Sequence, residues 1–216
     1  MNQTNADVLI DLYTSPTPNG RKVSIMLEEI GLPYNVIPID ITAGEQRSKK
    51  FTELSPNQKI PAIVDHENNL TLMESGAILM YLAHKTGQLF CQKGEQHWKE
   101  LEWLMFQMGG VGPMLGQTHH FVKFNPGVSE YAEQRYRKEN LRVYQVLEDR
   151  LRDRAYLVNE YCIADIATWP WISRFEYQQM DLNAFPNLNR WYLEIAARPA
   201  VQRGYAVPQN LAIPLP

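Results

Sequence analysis

The 216-residue sequence predicts a chain of two domains, an α/β domain followed by an all-α domain. Short apolar runs typical of strands alternate with helical patterns up to Gln88, whereas beyond Gln92 only long helical patterns occur. The content of 44% hydrophobic residues is sufficient for a sizeable core. We therefore expect an α/β domain over residues 1–88, a linker over 89–95 and an all-helical domain over 96–216.

The first half of the α/β domain has a strand–helix–strand pattern. An apolar run over residues 8–13 predicts a strand, which ends in the turn-rich segment 14–20. Apolar residues at helical spacing follow, and Gly31 is a typical helix end. A second strand over 35–40 is expected to run parallel to the first because a helix connects them, and Pro38 favours an edge position.

The second half of this domain has a strand–strand–helix pattern. Residues 63–65 and 70–72 flank a polar turn, which predicts an antiparallel hairpin, and a helix over 75–85 follows. The order βαβ then ββα is that of a thioredoxin-like domain. In the all-helical domain, long helical patterns lie at residues 96–108, 128–153, 164–179 and 188–197.

Composition excludes several classes of partner. The net charge of −3, from 21 Lys+Arg and 24 Asp+Glu, does not favour nucleic acid or an anionic membrane, so a small-molecule partner is expected. No apolar run reaches the length of a membrane span, and the polar residues 1–7 lack the features of a signal peptide. We therefore expect a cytoplasmic protein.

Cysteine and histidine spacing gives no indication of a metal or dithiol site. The two cysteines, Cys91 and Cys162, are far apart and form no C-x-x-C motif, which excludes a disulfide framework. His119 and His120 are adjacent, so on a helix their side chains diverge by about 100° and do not share one metal ion well. The glycine-rich residues 109–116 lack the Lys-Ser/Thr ending of a phosphate loop, and we interpret them as a kink between helices.

Two segments of the α/β domain have the features of a site for a peptide-like thiol. If the Ile60-Pro61 bond at the entry to a strand is cis, the backbone of Ile60 faces solvent, where an extended ligand pairs with it. Glu74 and Ser75 precede a helix whose N-terminus attracts a carboxylate, with the Ser75 hydroxyl as a donor and Glu74 facing an ammonium. The alternatives are a trans proline at a strand start and an ordinary capping serine.

Together these segments resemble the glutathione-binding half of the glutathione transferases, and the resemblance covers nearly the whole chain. In that family the matching cis-proline segment pairs with the cysteinyl backbone of glutathione, and a Glu-Ser pair binds the γ-glutamyl end. The resemblance implies these roles for Ile60, Pro61, Glu74 and Ser75. It also implies a homodimer, in which the first domain of one subunit pairs with the second domain of the other.

A third segment indicates which class of glutathione transferases the chain resembles. Residues 17–20, Thr-Pro-Asn-Gly, resemble the signature of the bacterial nu-class, in which the matching Thr and Asn donate hydrogen bonds to the glutathione sulfur. The resemblance implies this catalytic role for Thr17 and Asn19. From the residues alone, a turn in which both side chains satisfy local backbone groups is the alternative. Further similarity to the class lies in residues 57–66, 74–79, 112–117 and 163–166.

The nu-class resemblance implies reduction of disulfides by glutathione, with two glutathione molecules bound as substrates in one cleft. Arg135 matches the class arginine that faces the second glutathione, although a solvated helix charge is the alternative. Lys59 and Gln46 are further candidates, for the glycyl end and for a carboxylate of the ligand. The first domain has no cysteine, so both reacting sulfurs are expected to come from bound substrates.

Two other functions remain compatible with the sequence. One is a conjugating glutathione transferase for an unknown electrophile, or a glutathione peroxidase. The other is a non-catalytic regulator such as the yeast nitrogen-catabolite regulator, which carries a long Asn/Gln-rich tail, whereas only about seven residues lead the chain here. The presence of Thr17 and Asn19 favours a catalytic function, but similarity of fold does not distinguish an enzyme from a regulatory protein.

Overall fold

The computed structural model of the protein describes residues 9–216. Residues 1–7 and Val8, the predicted start of the first strand, lie outside the described residues. Residues 9–88 form one compact unit together with Pro199–Ala212, and Leu89–Arg198 forms the other together with Ile213–Pro216. The sequence prediction assigned all of 96–216 to the helical domain, so the grouping of Pro199–Ala212 with the first unit differs from it.

The first unit contains a four-stranded sheet in the order β2-β1-β3-β4. The strands are β1 (Ile10–Thr14), β2 (Tyr34–Pro38), β3 (Ala62–Asp65) and β4 (Leu70–Met73). β1 is parallel to β2 and antiparallel to β3, and β3 is antiparallel to β4. This is the βαβ-ββα topology predicted from the sequence, with the proline-containing β2 at an edge.

Among its described residues, the first unit also contains four helices. They are α1 (Pro18–Ile30), α2 (Lys49–Leu54), α3 (Ser75–Thr86) and α9 (Pro199–Tyr205). Gly31 and Gly87 end α1 and α3 in the left-handed conformation, with φ of 66° and 70°, which a glycine adopts without steric cost. The sequence did not predict α2, the 3₁₀ turn Glu45–Arg47 before it, or α9.

Helix α9 packs closely on α1 because one position is a glycine. A Cβ added at Gly204 would lie 2.5 Å from Cα of Ile25, so a larger residue would force the helices apart. The Ser24 hydroxyl donates a 2.7 Å hydrogen bond to the carbonyl oxygen of Gly204. The guanidinium of Arg21, which is fully buried, lies 3.5 Å from the centre of the Tyr205 ring. These contacts hold the C-terminal helix against the first unit.

The second unit is helical. Its helices are α4 (Gly94–Phe106), α5 (Gly112–Thr118), α6 (Glu130–Leu151), α7 (Ile163–Ile172) and α8 (Pro186–Ala196). Where the sequence predicted a kink, the π-helical segment Gln107–Val111 joins α4 to α5, and a second one, His119–Phe124, follows α5. Gly112 and Gly116 of α5 both face Trp171, where an added Cβ at either would make an ordinary contact of 3.4 Å with the indole.

Asp165 organises the interior of the helical unit. Its carboxylate is fully buried and accepts hydrogen bonds from the backbone N–H groups of Leu157 and Cys162, at 3.0 and 3.1 Å, and from the Trp191 indole at 2.8 Å. Burial raises the pKa of Asp165 to about 6, although these donors oppose the shift. Cys162 is the N-cap of α7, and Asp165 reaches back to its backbone as in a capping box.

Within residues 9–216, no helix combines the length and apolar character that a membrane span requires.

Candidate active site

Three connections of the first unit meet at one end of the sheet. The register pairs Tyr13, near the end of β1, with Ala62 at the start of β3, and Ala62 with Met73 at the end of β4. Antiparallel strands bring the end of one next to the start of the other, so the three connections are neighbours. They carry the predicted site residues Thr17, Asn19, Ile60, Pro61, Glu74 and Ser75.

The connection after β1 places Thr17 at the start of α1. Thr17 is the N-cap of this helix, and its hydroxyl oxygen accepts a 3.2 Å hydrogen bond from the N–H of Gly20. Because this bond uses the oxygen as an acceptor, the hydroxyl hydrogen is still able to donate. Asn19 lies half-buried in the first turn. The helix dipole favours negative charge at this position.

The connection before β3 presents the backbone of Ile60. The Ile60-Pro61 peptide bond is cis, as predicted, and Pro61 is buried. The buried Ser55 donates a 2.9 Å hydrogen bond to the carbonyl oxygen of Lys59 and holds the segment in place. The N–H and C=O of Ile60 make no backbone hydrogen bond with other described residues, so both remain available to an extended ligand.

The connection after β4 contains an unusual backbone conformation. Glu74 is exposed and has φ of 71° and ψ of 113°, in a region that residues other than glycine rarely adopt. Such strain is concentrated at ligand sites, where the surrounding structure maintains it. Ser75 follows as the first residue of α3 and is almost fully buried, with 3% of its surface exposed.

The structure adds Lys22 to this site. Lys22 lies on α1 with 1% of its surface exposed, and its Nζ donates a 3.3 Å hydrogen bond to Oγ of Ser75. Burial lowers the pKa of Lys22 to about 7, and the nearby charge of Glu74 opposes part of that shift. The sequence carried no signal for this role, because a lysine between apolar helix positions is normally a solvated charge.

Gln46 and Lys59 lie in the same unit. The ends of β1 and β2 are paired through Thr14 and Pro38, so the chain leaving β2 toward Gln46 starts at this end of the sheet too. The Gln46 side chain donates a 3.4 Å hydrogen bond to the carbonyl oxygen of Ile41, and its Oε1 is buried without a hydrogen-bond partner among the described residues. Lys59 is exposed.

Arg135 belongs to the other unit. It is an exposed residue of α6 and lines a cavity of about 540 Å³ in the helical unit. Lys138 and Arg142 line the same cavity and make it cationic, although Arg142 also pairs with Glu139 at 2.6 Å. This cavity is suited to a small anion such as a carboxylate. The structure therefore collects the other predicted site residues in the first unit and provides a separate cationic cavity around Arg135.

Both cysteines are free thiols of the helical unit. Cys162 is buried, and desolvation raises the pKa of its thiol well above the ordinary value. Cys91 is exposed, but desolvation and the nearby Glu100 also raise its pKa. A raised pKa disfavours the thiolate, which is the reactive form. Among residues 9–216, no three His, Cys, Asp or Glu side chains are placed together to hold a metal ion.

His119 is a neutral, packed histidine. Its ring is stacked on Trp171 with 5.6 Å between ring centres, and its Nε2 lies 3.1 Å from the side-chain nitrogen of Gln178. The Gln178 amide also donates to the carbonyl oxygen of Trp171, so the amide nitrogen is the donor and His119 the acceptor. Burial, together with the charge of Arg174, lowers the pKa of His119 to about 4.

Two family models match the chain. The model for the N-terminal domain of glutathione S-transferases matches residues 9–84, and the model for the C-terminal domain matches residues 111–199. The chain belongs to the glutathione S-transferase family. Disulfide-bond oxidoreductase YfcG of Escherichia coli K12 is 46% identical over 198 residues, which cover 89% of this chain and 92% of YfcG.

Solved structures of the family have the same fold. A glutathione transferase from Burkholderia graminis, with two glutathione molecules bound per subunit, is 44% identical and superposes with a TM-score of 0.87 over 93% of this chain and 88% of that one. A glutathione transferase from Pseudomonas putida, with one glutathione disulfide bound per subunit, is 43% identical, with a TM-score of 0.89 over 95% and 94%. The family and the fold class predicted from the sequence are confirmed.

Proposed function

We propose that this protein is a nu-class-like, glutathione-dependent disulfide-bond reductase. The main support is that three connections, whose polar groups are complementary to those of glutathione, meet at one end of the sheet. The chain that contains them is 46% identical to a disulfide-bond oxidoreductase. The glutathione and glutathione disulfide bound to the B. graminis and P. putida relatives support it.

In this proposal the first unit binds glutathione along its length. The backbone of Ile60 pairs with the cysteinyl residue as an additional strand, because its N–H and C=O make no other backbone hydrogen bond within residues 9–216. The Ser75 hydroxyl and the N-terminal amides of α3 bind the γ-glutamyl carboxylate, and Glu74 binds the γ-glutamyl ammonium. Lys59 faces the glycyl carboxylate, and Gln46 contributes a hydrogen bond to a ligand carboxylate.

Thr17 and Asn19 activate the sulfur of glutathione. Their hydroxyl and amide hydrogens donate to the thiolate, and hydrogen bonds to the charged form lower the pKa of the thiol. The thiolate attacks one sulfur of the disulfide substrate, so that a mixed disulfide forms and the other half leaves as a thiolate that takes up a proton. A second glutathione thiolate attacks the glutathione sulfur of the mixed disulfide. The products are glutathione disulfide and the second reduced thiol.

The second glutathione requires cations for its carboxylates, and Arg135 in its cationic cavity is the proposed residue. We also propose a homodimer. The side chains of Trp98 and Met105 are exposed and lie seven positions apart, on one face of α4, which supports an interface there. The two free thiols are compatible with the cytoplasmic location that we propose.

A comparison of three substrates tests the function. With glutathione as the thiol, kcat/KM is measured for a small hydroxyalkyl disulfide, a hydroperoxide and an aryl halide. We expect the disulfide to have the highest value. A higher value for the aryl halide would indicate a conjugating transferase, and a higher value for the hydroperoxide would indicate a peroxidase. Glutathione binding without any turnover would favour a regulatory protein.

A further inference from the structure

Lys22 is a cation placed almost entirely out of solvent, which ordinarily destabilises a protein. Its side chain is on α1, with 1% of the residue surface exposed, and it meets Ser75 across 53 sequence positions at 3.3 Å. Lysines are rarely buried without a partner, because removal of the ammonium from water is costly. The partners of Lys22 include the two residues proposed to recognise one end of glutathione, namely Ser75 by a hydrogen bond and Glu74 by its charge.

The contact with Lys22 determines how Ser75 is oriented. In its charged form Lys22 has three donors and no acceptor, so in that form the oxygen of Ser75 accepts and its hydroxyl hydrogen is directed away from Lys22. A hydrogen bond from a charged donor polarises the hydroxyl and strengthens its own donation. The positive charge of Lys22 also attracts the carboxylate of Glu74. The backbone of Glu74 is strained, with φ of 71°.

We propose that Lys22 is a positioning residue that makes the site selective for thiols with a γ-glutamyl group, because it fixes Ser75 at the start of α3, next to Glu74. Lys22 is too deeply buried to serve as the main ligand contact, so it acts through Ser75. The proposal rests on the proposed function, in which Ser75 and Glu74 bind the γ-glutamyl carboxylate and ammonium.

Lys22→Met in the full chain tests the role. Methionine is unbranched and similar in length, and because Glu74 is exposed, removal of the Lys22 ammonium leaves no unpaired buried charge behind. Calorimetry should show that the Kd for glutathione and for γ-glutamylcysteine rises about 10- to 100-fold, the size expected for a lost hydrogen bond to a charged group. The kcat/KM with cysteinylglycine as the thiol, which lacks the γ-glutamyl group, should be unchanged. The thermal midpoint should be equal to or above that of the wild type.

Lys85→Met is the matched control. Lys85 lies near the other end of α3, where its ammonium pairs with Asp65 Oδ2 at 2.9 Å. Its replacement should lower the thermal midpoint and leave the Kd for glutathione unchanged. A Lys22→Met variant with an unchanged Kd for glutathione, or with an equal loss for cysteinylglycine, would overturn the positioning role.

The experiments distinguish failure of the proposed reductase function from failure of the proposed role of Lys22. A wild-type chain that binds glutathione but does not reduce the disulfide would contradict only the proposed reductase activity, because the Kd values still test Lys22. A wild-type chain that does not bind glutathione would overturn both proposals.

Discussion

A Cβ added at Gly20 would lie 2.3 Å from the carbonyl oxygen of Ser15, far inside van der Waals contact. The loop between β1 and α1 therefore folds directly against the first turn of the helix. The same loop carries Thr17, whose N–H donates a 2.7 Å hydrogen bond to that carbonyl. The absence of a side chain at Gly20 thus allows the loop conformation that presents Thr17 and Asn19.

Gly20→Ala is expected to impair both stability and activity. The added methyl group displaces backbone atoms, and overpacking of this kind costs about 1–3 kcal/mol. Urea unfolding and kcat/KM for the disulfide measure the two effects. Gly109→Ala is the control, because an added Cβ there meets no atom within 4 Å. If Gly20→Ala behaved like the control in both measurements, the close approach would have no importance for the site.

Thr17→Ala is expected to lose both the N-cap of α1 and the hydrogen-bond donor to the glutathione thiolate, whereas Thr17→Ser retains both. Loss of the N-cap to α1 lowers the free energy of unfolding by about 1 kcal/mol. Loss of the donor to the thiolate lowers kcat/KM roughly ten- to a hundredfold and raises the pKa of bound glutathione. Titration of thiolate absorbance with bound glutathione measures the pKa. Asn19→Ala should likewise lower kcat/KM and raise the pKa of bound glutathione. A Thr17→Ala variant with wild-type kcat/KM and thiol pKa would exclude the proposed catalytic role.

A variant with Cys91→Ser and Cys162→Ser is expected to keep its disulfide reductase activity. Both thiols belong to the helical unit, and their raised pKa values disfavour the reactive thiolate. Serine is a preferred N-cap residue, so the change at Cys162 should leave the start of α7 formed. Circular dichroism verifies folding. Loss of activity in the folded variant would indicate a protein-thiol mechanism in place of two bound glutathione molecules.

The sequence predicted those parts of the fold and site that depend on local chemistry. The cis bond at Ile60-Pro61 and the helix end at Gly31 follow from the conformational limits of proline and glycine. Lys22 was missed because its role depends on a contact with Ser75 across 53 positions, which no local pattern encodes. The return of α9 to the first unit was missed for the same reason, since it depends on how Gly204 fits against α1.

Acid pH is expected to weaken the fold through His119. Its pKa is lowered to about 4 in the folded protein, against about 6.5 for an exposed histidine. Between these values the unfolded chain binds a proton that the folded chain does not. The free energy of unfolding therefore falls as the pH drops from about 6.5 to about 4, by about 3 kcal/mol in total for this group.

His119→Gln should remove this contribution. Chemical unfolding of both proteins, followed by tryptophan fluorescence at a series of pH values, gives the difference in the free energy of unfolding. That difference should be constant above about pH 7 and should shrink toward pH 4, because only the wild type loses the contribution of His119. Asp165, with a pKa raised to about 6, titrates in the same window in both proteins, so its effect cancels. A difference that did not depend on pH would show that His119 is not held neutral by its burial against Trp171.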